Sequence, residues 1–179
     1  MSVAGAIRAA EHGTALLLAR TAVRETPADG YAPEGQALEV RQPLGDAQTP
    51  LVEAYLEHWT STQVAPRIGL SRSVYVAPTR AEALADAAPG IRRFVESVGA
   101  RRGLSNDMGL EEVLARADIH IGSPDDVIAS LRIDRLLAGA SDLIVQVHPV
   151  DPPHEKTLRS VQLIAAEVAP AVRSSMQRC

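Results

Sequence analysis

The feature that most constrains this chain is an alternation of helix and strand signals that opens on a helix and yields only three strands in 179 residues. The pattern predicts strands at Thr14 to Ala19, Ile68 to Val76 and Asp142 to Val147. The first is short, apolar and without alternation, which suits a strand buried on both faces of a parallel sheet. In the second, Ser71, Ser73 and Tyr75 fall on one face, and Leu70, Val74 and Val76 on the other. Strands separated by helical stretches are joined by parallel crossovers, so the expected class is α/β.

Helix signals fill the intervals. Residues Ser2 to His12 read as a helix with Val3, Ile7 and Ala10 on one face, and Gly13 stands where a left-handed C-cap would go. Thr49-Pro50 supplies a capping hydroxyl and a proline for a first helical turn, followed by a stripe of Leu51, Ala54, Tyr55 and His58 or Trp59. Thr79-Arg80-Ala81-Glu82 fits a capping box opening a helix to about Val98. A short helix from Leu110 to Ala117 leads into Ile119-His120-Ile121-Gly122. Ser123-Pro124-Asp125-Asp126 then starts a helix running to about Ala138. The last helix, from about Glu155, is expected to bury Leu158, Val161, Ala165, Val168 and Val172. The stretch 21–48 is polar, aperiodic and punctuated by Pro27, Gly30, Pro33, Gly35, Pro43 and Gly45, the signature of a long loop. Gly99 to Gly109 reads as a second loop. No repeat or composition shift divides 1–179 into more than one domain.

Composition narrows the function. A net charge of −4 and the lack of a basic stripe interleaved with aromatics argue against a nucleic-acid partner. The N-terminus lacks a charged region leading into an apolar one, and no apolar run approaches the roughly 18 residues of a membrane span. The expected protein is soluble and cytoplasmic, with no membrane partner. The single cysteine, Cys179, cannot form an internal disulfide. His12, His58, His120 and His154 show neither metal-ligand spacing nor a nucleophile partner. Neither a Gly-rich dinucleotide fingerprint nor a phosphate loop is present. No metal site and no catalytic residue is assigned.

The order of motifs resembles the C-terminal half of the bacterial luciferase-like flavin monooxygenases. The resemblance rests on Ser71-Arg72-Ser73-Val74-Tyr75-Val76-Ala77 before a capped helix, on Ile121-Gly122-Ser123-Pro124 before another, and on a Leu-Ile-Val strand before an amphipathic terminal helix. It implies an incomplete (β/α)8 barrel of about three parallel strands, the sixth to the eighth, since a closed barrel needs about 200 residues at the least. It implies reduced FMN as cofactor, or a deazaflavin, with O2 and a small organic substrate. An open three-stranded sheet leaves two unpaired edges and an apolar face. A complementary N-terminal half-barrel chain, a homo-oligomer or a longer gene product would cover them. A non-catalytic interaction module built on the same fold is the alternative.

The resemblance also implies site residues. Ser2 and Gly5 match the start of the helix that binds the flavin phosphate, where unpaired N–H groups and the helix dipole favour an anion; Ser2 is otherwise a plain N-cap. Ser73 matches a serine facing the barrel interior near the flavin, or else fills a taper in the core. From position alone, Arg20 follows a strand's C-terminal end, where it could pair with a phosphate or carboxylate or simply face solvent. His148 ends the last strand and could hydrogen-bond a substrate or transfer a proton, or lie on the surface. Ser123 is expected to be a structural cap, because Asp125 and Asp126 already occupy that helix end and would repel a phosphate.

Overall fold

A long central strand organises the molecule. The computed structural model describes residues 2–20, 43–99, 104–149 and 151–176. In chain order the elements are α1 (Val3–Glu11), β1 (Leu16–Leu18), α2 (Leu44–Glu57), β2 (Ile68–Val76), α3 (Arg80–Phe94), α4 (Leu110–Arg116), β3 (Ile119–Gly122), α5 (Pro124–Ile133), β4 (Asp142–Gln146), α6 (His154–Leu163) and α7 (Ala169–Arg173). Wide π turns, Val95–Gly99 and Ile164–Val168, extend α3 and join α6 to α7.

All pairings among the described residues are parallel. Gly69 and Leu70 pair with both β1 and β4, so those two strands lie on opposite edges of β2. Ser73 pairs with both Ile119 and Gln146, so β3 also lies opposite β4 and shares an edge with β1. A strictly sequential arc would instead place β3 between β2 and β4. The crossover from β2 to β3 therefore runs one way across the sheet, and that from β3 to β4 runs back.

Right-handed crossovers running in opposite directions place their helices on opposite faces. The core obeys this. Val74 and Val76 pack on Val127 and Leu131 of α5 and on Ile164, Val168 and Val172. Tyr75 and Ile121 pack on Ala83, Ala87 and Ile91 of α3 and on Val113 and Leu114 of α4. A third cluster joins Ala6, Ala10, Leu51 and Tyr55 to Leu16, Leu18, Ile68 and Leu70 at the sheet's other end.

Several sequence expectations change. Among the described residues the sheet has four strands rather than three, because Ile119–Gly122 pairs along the last part of β2. Four residues bounded by a helix and a proline show too little periodicity to register as a strand. β1 is not buried on both faces, since Leu17 is 51% exposed between buried Leu16 and Leu18. The helix expected from Thr49 starts at Leu44, and Pro50 lies inside it. At the seventh helical position the missing N–H costs the bond that residue 50 would otherwise make to the Asp46 carbonyl. Of the proposed loop 21–48, residues 44–48 are thus helical, and 21–42 lie outside the described residues. In α1 the buried face is Ala6 and Ala10, whereas Val3 is exposed. In the last helix Leu158, Val161 and Ala165 are exposed; the buried row is Ser160, Ile164, Val168 and Val172. α5 ends at Ile133, short of Ala138.

Other expectations hold. Gly13 has φ of +62°, the left-handed value that a side chain disfavours. Thr79 caps α3 by accepting from the Glu82 N–H at 3.2 Å. Ser123 and Asp126 form a reciprocal capping box. The chain enters that box through Gly122 at φ of +148°, where a β-carbon would lie 2.6 Å from Asp126 Cβ. Ser160 is fully buried and accepts the Val76 N–H at 2.9 Å, beyond the point where β4 ends. It satisfies a backbone donor that the short neighbouring strand leaves unpaired.

One face stays partly open. The register sets Leu17, Gly69 and Asp142 in one row and Ser71 and Ile144 in the next. Leu17 and Ile144 are 51% and 49% exposed, so no described element covers this end of the face.

Candidate functional site and structural relatives

Ser2 takes an extended conformation ahead of α1, and its Oγ accepts the Gly5 N–H at 3.3 Å. The first turn of α1 carries no acidic residue. The turn through Gly13 sends the chain back along α1 into β1, and Ala6 and Ala10 pack beside Leu16 and Leu18. Arg20 and His148 are exposed, each just past the C-terminal end of a strand. Ser73 sits mid-strand between Ile119 and Gln146 and is 2% exposed.

Neither of two cavities among the described residues is lined by Ser2, Gly5, Arg20, Ser73 or His148. The first, about 280 Å³, opens where β1 has ended and β3 has not yet begun. Arg72 of β2 lines it, at a position that pairs with neither β1 nor β3. Its guanidinium is 1% exposed; Nε donates to Asp134 Oδ2 at 2.6 Å and Nη1 to the Ser71 carbonyl at 2.8 Å. Nη2 has no partner among the described residues. Asp134 follows α5 directly, and its Oδ1 accepts the Leu136 N–H at 3.1 Å. The pair therefore ties the end of α5 to the central strand. No spacing rule relates residues 72 and 134, so only the fold reveals it.

His120 shares this cavity, with Nδ1 2.8 Å from Ser130 Oγ. Burial pushes the imidazole down to about 4; nearby Asp134 opposes the shift and Arg72 adds to it. An unfolded histidine titrates near 6.5. Between these values the unfolded chain binds the proton more readily, so stability is retained above about pH 6.5 and declines as pH falls toward 4. The unfolding free energy from urea denaturation should drop between pH 6.5 and 5, by at most about 1.4 kcal/mol per pH unit for a single proton. His120→Gln should flatten this range; an equal slope in the variant would assign the effect to other groups.

A third cluster joins elements late in the chain. The Tyr75 hydroxyl donates to Asp86 Oδ2 at 2.9 Å, and Lys156 Nζ donates to Asp86 Oδ1. Burial, then Asp86, drives the phenol well above its ordinary range, so it remains a proton donor. This links β2, α3 and α6. Among the described residues no group of three His, Cys, Asp or Glu side chains could hold a metal ion. No helix among them is long and apolar enough to cross a membrane.

No family model and no curated protein matches the sequence. Solved structures do. The monooxygenase RslO1 from Streptomyces bottropensis superposes with a TM-score of 0.59 at 20% identity, over 94% of this chain and 45% of its own. Apo-MsnO8 gives 0.57 at 19% identity, over 96% and 48%. The oxygenating constituent of 3,6-diketocamphane monooxygenase from Pseudomonas putida, a type II Baeyer–Villiger monooxygenase solved with FMN, gives 0.50 at 21% identity, over 93% and 45%. The chain spans about half the length of these structures. Its parallel sheet and helices form an α/β fold similar to part of these structures.

Proposed function

We propose that this chain is the C-terminal part of a luciferase-like flavin-dependent monooxygenase, oxidising an organic substrate with O2 and reduced FMN. The observation that carries this reading is the likeness of nearly the whole chain to about half of monooxygenase structures, one of which contains FMN. The strands are then read as a segment from the last half of a (β/α)8 barrel, incomplete and weakly active or inactive alone.

When bound, the flavin supplies the redox chemistry. Ser2, Gly5 and Arg20 are the residues here that suit its phosphate. A helix whose first turn has no acidic residue offers backbone N–H groups, and an exposed arginine follows the C-terminal end of β1. Ser73 keeps its strand position small beside the ring, and His148 is assigned to the substrate side as a hydrogen-bonding or proton-transferring group. A deazaflavin enzyme shares this scaffold. A non-catalytic module of the same fold is the alternative.

FMN titration followed by flavin fluorescence separates these readings. The isolated chain is expected to bind FMN more weakly than micromolar, with FMN preferred over riboflavin and the preference lost in Arg20→Ala. Micromolar binding by a monomer would show that the pocket needs no further strands. Equal affinity for FMN and riboflavin would remove Ser2, Gly5 and Arg20 from the site.

A further inference from the structure

The outer edge of β4 pairs with no strand among the described residues. It lines a groove of about 500 Å³ whose other wall is the terminal helix, through Val168, Val172 and Met176. Edge strands in soluble proteins are usually blunted by an inward charge, a proline or a bulge. β4 has no proline, and its one charge, Asp142, stands at its first residue: the centre is Leu143-Ile144-Val145, and Ile144 is 49% exposed on the open face.

The sequence of β4 is symmetric in polarity about Ile144: Asp, Leu, Ile, Val, Gln. Antiparallel pairing of two copies about a twofold axis at Ile144 sets Asp142 opposite Gln146, Leu143 opposite Val145, and Ile144 opposite itself. Carboxylate then meets amide at both ends, and apolar side chains meet in the middle. The bidentate pair that Asp142 makes with Arg67, at 2.8 and 2.9 Å, leaves lone pairs on its carboxylate for the amide. Parallel in-register pairing would set Asp142 against Asp142, which is repulsive. A one-residue slip would turn Ile144 to the wrong face. We propose that the β4 edge and the groove beside the terminal helix bind a second copy of this chain, β4 to β4, antiparallel and centred on Ile144. This joins two sheets into one, covers both Ile144 side chains and places Leu143 and Val145 of each copy against the groove of the other. It applies to this chain by itself; strands that completed a barrel would compete for the same edge of β4.

Two measurements test it. Sedimentation of the full chain should show a reversible equilibrium between the 19.0 kDa monomer and its dimer. Ile144→Lys, which sets like charges opposite each other, should raise the dissociation constant by about tenfold or more, while Leu17→Lys on the same open face should leave it unchanged. In a Cys179→Ser background, Ile144→Cys should form a disulfide-linked dimer under mild oxidation, because directly opposed β-carbons lie within disulfide reach; Leu17→Cys should not. A wild-type chain monomeric at submillimolar concentration overturns the proposal. So does a dimer indifferent to Ile144→Lys, failure of the Ile144→Cys variant to cross-link, or an edge occupied only by a different protein.

Discussion

Replacing Asp134 with alanine is expected to cost about 3–5 kcal/mol of folding stability, the penalty for leaving one partner of a buried ion pair uncompensated. Arg72 is 1% exposed and the Asp134 side chain 7%, so water cannot take over the role of the missing carboxylate. The loss also removes the acceptor of the Leu136 N–H, loosening the turn after α5. A single domain has about 5–15 kcal/mol in total, so the variant should sit near the edge of folding at room temperature. The double variant Arg72→Met with Asp134→Leu should recover most of the loss, since apolar replacement of a whole buried pair is often neutral. Urea denaturation of the three proteins decides the matter. A single-variant loss under about 1 kcal/mol would mean that water reaches the pair through the adjacent cavity.

Tyr55→Ala should be similarly damaging, at about 3–5 kcal/mol for a large aromatic removed from a packed interior. Tyr55 is fully buried in the cluster that joins α1 and α2 to β1 and β2, with its ring 5.3 Å from that of Trp59. Its hydroxyl donates to the Thr14 carbonyl at 2.9 Å and accepts the Arg67 N–H at 3.3 Å. It thereby bridges the entries of two adjacent strands. Tyr55→Phe isolates this polar part and should cost about 1–3 kcal/mol, because two backbone groups lose their partner. If Phe and Ala variants prove equally stable, the hydroxyl rather than the packed ring carries the contribution. If Phe matches the wild type, solvent already reaches the strand entries.

The two residues differ in how far they could be anticipated. Tyr55 belongs to a helical stripe, so its burial was legible from spacing; its hydroxyl contacts were not, because Thr14 lies 41 residues away. Arg72 alternates with valines on one face of β2, yet nothing local indicates which carboxylate it meets. Ser160 is a comparable case. A serine in an amphipathic helix reads as solvent-facing, and its burial follows only from the short length of the neighbouring strand. The exposure of Leu158 and Val161 has a related origin. The π turn at Ile164–Val168 and the placement of the helix against the edge of β2 choose a different face from the one that hydropathy favours.

Among the candidate ligand residues, the cap at Ser2 and the exclusion of phosphate from Ser123 followed from local rules, and the hydrogen bonds agree with both caps. That Ser73 is covered, and that neither it nor Arg20 nor His148 lines a described cavity, depends on which strands and helices meet. Local propensity, capping and periodicity act over a few residues, so the chain alone specified its α/β alternation, the caps of α1, α3 and α5, and the long central strand. Strand order, the fourth strand, the Arg72–Asp134 pair and the open edge of β4 were decided by tertiary structure. They arise from contacts between residues tens of positions apart, whose pairing depends on crossover handedness and on the burial available once the sheet has formed.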